Sequence, residues 1–109
     1  MTLSADDQYR LNHIKTRITS IRAYLPDDGT FTDKDRDAIL YCLVVIGEAV
    51  NNLSDEVKNA APEIPWRQIV QLRNLLAHRY WKISFEVIEE IIEKDLDPLE
   101  ATVTALLDR

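Results

Sequence analysis

Trp66-Arg67-Gln68-Ile69-Val70-Gln71-Leu72-Arg73-Asn74-Leu75-Leu76-Ala77-His78-Arg79-Tyr80 reads as a helix that carries chemistry on its surface. Advancing about 100° per residue from Trp66 gathers Ile69, Val70, Leu76 and Ala77 on one face. Arg73 falls in the middle of that apolar face. Asn74 and His78, four apart, share a neighbouring face with Arg67. Arg73 and His78 stand about 140° apart around an ideal helix. A site using both lies across the helix edge, or His78 sits where the helix ends. The residues alone leave two readings open: a structural ion pair at Arg73 with His78 closing a helix, or a working site.

Charge narrows the choice. From Ile64 to Phe85 there is no Asp or Glu, while Arg67, Arg73, Arg79 and Lys82 all fall inside. The formal charge of −6 therefore divides into +4 here and −10 elsewhere. A positive island in an acidic protein fits an anionic ligand held at one place, not a surface that coats nucleic acid. Arg67, Arg79 and Lys82 are the candidate phosphate-binding cations beside Arg73.

A chain of 109 residues fits one domain, residues 1–109, with its own core and little room for a second site. Hydrophobic residues make up 46% and charged residues 29%, ordinary values for a soluble globular protein. One cysteine, Cys42, excludes an internal disulfide and reads as a small buried hydrophobe. No signal peptide and no stretch of roughly 20 apolar residues appears, so a cytoplasmic protein without membrane contact is expected. His13 and His78 are the two histidines, far apart in sequence, and nothing has His/Cys ligand spacing; no metal and no cofactor is expected. Glycine-rich phosphate loops and nucleophile elbows are absent as well.

Outward from the opening stretch, every segment has helical period. Leu11, Ile14, Ile18, Ile21 and Leu25 form a core stripe behind a capping box at Ser4-Ala5-Asp6-Asp7. His13 and Arg17 lie beside that stripe, and His13 reads as an edge residue. Pro26-Asp27-Asp28-Gly29 is a loop. A second capping pattern, Thr32-Asp33-Lys34-Asp35, starts a helix lined by Ile39, Leu43, Ile46, Val50 and Leu53. Its other face carries Tyr41, Val44, Val45 and Glu48, so it is central in a bundle or touches another chain. Gly47 lets a neighbouring helix come close. Glu48 in such surroundings needs a cation, for which Arg73 is a candidate. Whether it orients Arg73 or tunes a site stays open.

Ser54 caps a short third helix that ends before Pro62, and Pro65 suits the first turn of the next. Ser84 caps a last helix with Phe85, Ile88, Ile92 and Leu96 inward; Pro98 breaks or restarts it, and Leu99, Val103, Leu106 and Leu107 continue. Glu86, Glu89, Glu90 and Glu93 form its solvated face. No strand pattern is present. The expectation is an all-α bundle of four main helices with short additional pieces, in up-down order.

Arg73-Asn74, His78 and Tyr80 make the pattern Arg-x4-His-x-Tyr, which resembles the HEPN superfamily and its HepT-like toxins. Ile46-Gly47-Glu48-Ala49, Pro62-Glu63-Ile64-Pro65-Trp66 and the spacing to Ile83 extend the likeness over nearly the whole chain. Arg79 departs from it, standing where many relatives are expected to have an acidic or small polar residue.

The residue types suit one chemistry in particular. RNA is cut without a metal when its own 2′-OH attacks the adjacent phosphate. That reaction needs proton transfer near neutral pH, a task for histidine, and positive charge on the transition state, a task for arginine. Arg73 and His78 supply both, with Asn74 and Glu48 in support.

The resemblance implies more. It points to a metal-independent endoribonuclease acting on RNA rather than DNA, with the sites of two protomers meeting in a homodimer cleft. The protein would be the toxin of a toxin–antitoxin pair. Its antitoxin would be an MntA-like minimal nucleotidyltransferase that transfers AMP from ATP onto Tyr80. From the residues alone Tyr80 packs, or hydrogen-bonds His78. The competing class is a non-catalytic HEPN module that docks a nucleotidyltransferase or senses a nucleotide.

Overall fold

Four of the six described helices begin where the sequence places a short hydroxyl able to take the orphan amide protons of a first turn. Ser4 accepts from the Asp7 amide at 3.0 Å ahead of α1, Ala5–Ala23. Thr32 and Asp35 close a reciprocal box, at 3.1 and 3.0 Å, ahead of α2, Asp33–Asn51. Ser54 does the same single-handedly for α3, Asp55–Ala60. The Pro65 carbonyl accepts from the Ile69 amide at 3.1 Å and so opens α4, Trp66–Arg79. Proline thus stands just before the first turn rather than in it. Ser84 opens α5, Phe85–Lys94, and α6 spans Leu96–Leu107 with Pro98 in its first turn.

The computed structural model describes residues 1–79 and 83–109, at Arg79 for the backbone only. Among these residues the protein is all-α, with six helices and no strand. α2 packs along both α1 and α4, α1 also lies against α6, and α5 folds onto α6. The four main helices expected are α1, α2, α4 and the broken α5–α6 pair, with α3 the short addition. None of the described helices is long and apolar enough to cross a membrane.

One hydrophobic core joins these elements. Leu11, Ile14, Ile18 and Ile21 of α1 are fully buried, facing Ile39, Leu43, Ile46 and Val50 of α2. Val103 and Leu106 of α6 and Ile88 of α5 close it from the other side. Cys42 is buried and unpaired, a small core residue. Two stripe assignments change. α1 stops at Ala23, so Leu25 leaves the stripe and stands 36% exposed in the loop. On α4, Ala77 is exposed, while Leu72 is half-buried against the core. Ala77 sits one turn beyond Arg73, where the polar groove described below opens.

Polar contacts set the corners. The Trp66 indole N–H donates to the carbonyls of Lys58 and Ala61, at 3.1 and 3.0 Å, and fastens the α3–α4 turn. Arg22 pairs with Asp97 and Glu100, tying the end of α1 to α6. Asp7 departs from the expected capping box. Its carboxylate does not return to Ser4's backbone but crosses to the start of α3, accepting from the Ser54 amide at 3.0 Å and its hydroxyl at 2.6 Å. Burial pushes the Asp7 carboxyl up. The Ser54 hydroxyl and amide outweigh that and hold it below the ordinary aspartate value, with Arg10 nearby adding to the effect.

Because the folded-state pKa of Asp7 is lowered, its contribution is complete above the unfolded value near 3.9 and is lost as pH falls through the folded value. Asp7→Ala leaves the Ser54 donors unanswered and should cost about 1–3 kcal/mol at pH 7. Each kcal/mol corresponds to roughly 4–8 °C in Tm for a domain of this size. Urea unfolding of both proteins between pH 7 and acid checks this: the gap should narrow only below about pH 4. An equal gap throughout would detach it from the Asp7 charge.

Candidate functional site

The site starts from a missing side chain. α2 and α4 cross at Gly47, where a Cβ would lie 2.2 Å from the Arg73 Cβ and 2.7 Å from its Cγ. No real side chain fits there, so the Arg73 stem lies directly on the α2 backbone. That contact makes Arg73 the one charged residue on the inward face of α4, with its side chain 21% exposed.

The guanidinium reaches Glu48, Nη2 to Oε2 at 3.3 Å. The other Glu48 oxygen accepts from Asn52 Nδ2 at 3.2 Å. Glu48 is 58% exposed, and an ion pair with so much water around it is worth about 0–1 kcal/mol. Its effect is to aim the guanidinium, while packing over Gly47 holds the stem. The Arg73 Nε is buried and makes no hydrogen bond within the described residues.

Arg73 opens into a groove of about 350 Å³ between α1, α2 and α4. Glu48 and Asn52 form its α2 wall, and Tyr9, Arg10 and His13 its α1 wall. His13 is half-buried, its ring 5.8 Å from that of Tyr9 and tilted by 52°. His13, expected as an exposed or edge residue of α1 and not in a site, lines the Arg73 groove instead. A signal was present: Tyr9, His13 and Arg17 recur at four-residue steps, a polar and aromatic stripe flanking the core stripe. Only the α1–α4 juxtaposition gives it a site to belong to.

α4 continues unbroken past His78, its penultimate residue. Asn74, His78 and Arg67 are all exposed on the neighbouring face. The structure therefore brings Arg73 to Glu48 and the groove, and does not bring Asn74 or His78 into its lining: both stand exposed on α4, His78 at its end. Tyr80, Lys82 and the Arg79 side chain lie outside the described residues. Among those described, no three His, Cys, Asp or Glu side chains stand close enough to hold a metal ion. The second face of α2 is mixed: Val44 and Val45 are half-buried, whereas Tyr41 is 60% exposed with the Arg17 guanidinium 5.5 Å from its ring centre.

A larger apolar cavity, about 450 Å³, lies between α2, the start of α4 and the α5–α6 junction. Its charged lining is Glu63 and Asp95, with no cation. An anionic ligand has no partner there, and a further cavity beside Arg22 has that cation paired with Asp97 among Glu89 and Glu93, so the Arg73 groove is the candidate site. What it offers is a positioned guanidinium, an aimed carboxylate and, on its α1 wall, the half-buried His13 imidazole, with His78 exposed further along α4. That set suits binding a phosphodiester and moving a proton beside it.

The family model described as Ribonuclease HepT-like matches residues 14–106. A Methanocaldococcus jannaschii protein named "Gamma-glutamylcyclotransferase and putative RNase MJ0434" is 30% identical over 107 residues, covering 94% of this chain and 48% of its own length. "Putative RNase MJ0127" of the same organism is 41% identical over 71 residues, 61% of this chain and 59% of its own. "Probable ribonuclease HepT" of Thermococcus cleftensis is 33% identical over 74 residues, 68% of this chain and 67% of its own. The chain thus spans about half the length of the first of these relatives. No solved structure is a significant match.

Gly47→Ala tests the close crossing by the sign of its effect. In an ordinary helix the change gains about 1 kcal/mol from propensity. Here the added methyl meets the Arg73 stem, and overpacking costs about 1–3 kcal/mol. A thermal melt should therefore shift down by several degrees, with α2 and α4 forced apart. A rise in Tm would mean the two helices do not touch at Gly47.

Proposed function

The chain belongs to the ribonuclease HepT-like family, and from that premise we propose that it is a metal-independent endoribonuclease, the toxin of a cytoplasmic toxin–antitoxin pair. The observation that carries the proposal is Arg73: a guanidinium locked over Gly47, aimed by Glu48 and opening into a groove, with His78 five residues further along α4. Family relatives named as ribonucleases support the substrate class.

The mechanism needs few groups. The RNA 2′-oxygen attacks the neighbouring phosphorus, its proton passing to a base, and the P–O5′ bond breaks as the leaving oxygen takes up a proton. The products are a 2′,3′-cyclic phosphate and a 5′-hydroxyl. Arg73 binds the phosphate and meets the charge that grows on it. His78 handles a proton, and exposed Asn74 contacts the phosphate or orients His78. One protomer supplies a single histidine at this edge of α4, so acid and base together call for a homodimer in which two such edges face each other. Arg67, exposed on the His78 face, together with Arg79 and Lys82, would extend the positive field along the substrate.

Control would act at Tyr80. A partner nucleotidyltransferase transfers AMP from ATP: the phenol oxygen attacks the α-phosphorus, pyrophosphate leaves and the phenol proton is released. The adduct puts a negative charge and a base next to His78, where RNA phosphate binds. Both oppose substrate, so modification would silence the enzyme without unfolding it.

Purified unmodified protein should cut RNA in EDTA and sediment as a dimer. His78→Ala should lower the rate by roughly 10²–10⁴-fold, the usual cost of removing a proton-transfer group, and Arg73→Ala by roughly 10²–10³-fold through lost charge stabilisation. Undiminished cutting by His78→Ala would remove the catalytic assignment. A folded parent that cuts nothing would leave the chain a docking or nucleotide-sensing module.

Intact mass of the protein co-expressed with its nucleotidyltransferase should show AMP additions that Tyr80→Phe abolishes. Full inhibition by that partner with no added mass would mean occlusion of the site instead.

A further inference from the structure

The α1 wall of the Arg73 groove has no part in the mechanism above, yet it holds the chemistry of a binding surface. Tyr9 is 69% exposed, Arg10 and His13 are half-buried, and all three line the same groove as Arg73. The facing carboxylates are already engaged: Glu48 by Arg73 and Asn52, Asp7 by Ser54. Arg10 acts on Asp7 through its charge alone and makes no ion pair with it among the described residues. The groove therefore presents a second guanidinium and a tilted pair of rings on its α1 wall.

We propose that this wall is a subsite for one nucleotide of single-stranded RNA, adjoining the phosphate held by Arg73. Arg10 and His13 contact the flanking phosphate or sugar, and the Tyr9 ring stacks on the base. It rests on the ribonuclease reading of Arg73. The groove's size favours a nucleotide over a protein partner. About 350 Å³ lies in the lower part of the roughly 300–1,000 Å³ range of small-ligand sites. A partner helix, about 10 Å across, does not enter such a space. Aromatic stacking beside cations is the usual way to hold an unpaired base without reading its sequence.

The test is fluorescence anisotropy with the full chain and a labelled 2′-O-methyl oligoribonucleotide, which is bound but not cut. Tyr9→Ala should weaken binding by about tenfold to a hundredfold, while Tyr9→Phe, which keeps the ring, should stay within about twofold. Arg10→Ala should weaken binding and reduce the salt slope by about 0.7. On cleavable RNA, Tyr9→Ala, Arg10→Ala and His13→Ala should raise KM more than they lower kcat. Tyr9 is exposed enough that an unchanged melting curve will certify the fold. Unaltered affinity and KM in a Tyr9→Ala/Arg10→Ala protein would overturn the subsite and leave the Arg73–His78 reading standing. A parent that neither binds nor cuts RNA would overturn both. Weaker binding that appears only together with dissociation of the dimer in sedimentation would assign the wall to protein contact and overturn it.

Discussion

The contact between Gly47 and the stem of Arg73 governs the rest of this molecule. Helices normally approach to about 8–10 Å because side chains keep them apart. Here one side chain is missing on α2, and the β- and γ-carbons of Arg73 occupy its place. The same contact decides packing and chemistry. It draws α4 into the core through Trp66, Ile69 and Leu76, and it presents a guanidinium where a bundle would ordinarily bury an aliphatic residue. The Glu48 ion pair, half in water, is too weak to hold α4 there. Shape holds the helix, and charge aims the tip.

α1 contributes differently along its two faces. Its inner face, Leu11 through Ile21, is wholly buried and shared between α2 and α6. At its start Asp7 is committed to the amide and hydroxyl of Ser54, which pins the beginning of α1 to the beginning of α3. That fixes where the exposed turn holding Tyr9, Arg10 and His13 stands relative to α2. The α3–α4 corner, fastened by the Trp66 indole, then determines how α4 leaves toward the groove. Polar contacts of this kind add little net stability each, about 0.5–1.5 kcal/mol. Their larger effect is to make one arrangement of helices the satisfied one.

Acidic charge surrounds the site, and Glu48, the one carboxylate among the described residues lining the groove, is engaged by Arg73. With −10 outside the Ile64–Phe85 segment, a polyanion is repelled by most of the surface and attracted at one place. The larger cavity, with only Glu63 and Asp95 as charged lining, belongs to the repelling part. Geometry near His78 follows from α4 remaining helical to Arg79: the imidazole is carried to the end of the rod and faces solvent, rather than folding back to Arg73.

The helices, their starts and the inward position of Arg73 were legible in the sequence, because apolar period and capping residues act over three or four positions. Thr32 with Asp35 and Ser84 each act within one turn, and Ser54 accepts from the Val57 amide as a cap while its hydroxyl donates to Asp7. Asp7 was misread for the opposite reason: a local partner and a distant one were both available, and the distant pair of donors at Ser54 won. Leu25 and Ala77 fell outside their stripes because period says which face a residue is on, but not where a helix stops or where its neighbour ends. Gly47 announced a close approach, yet only the fold names Arg73 as what approaches. His13 and Tyr9 are more than fifty residues from Arg73 in the chain. Nothing local couples them, so the groove they share was decided by how α1 and α4 meet across α2, and by nothing smaller.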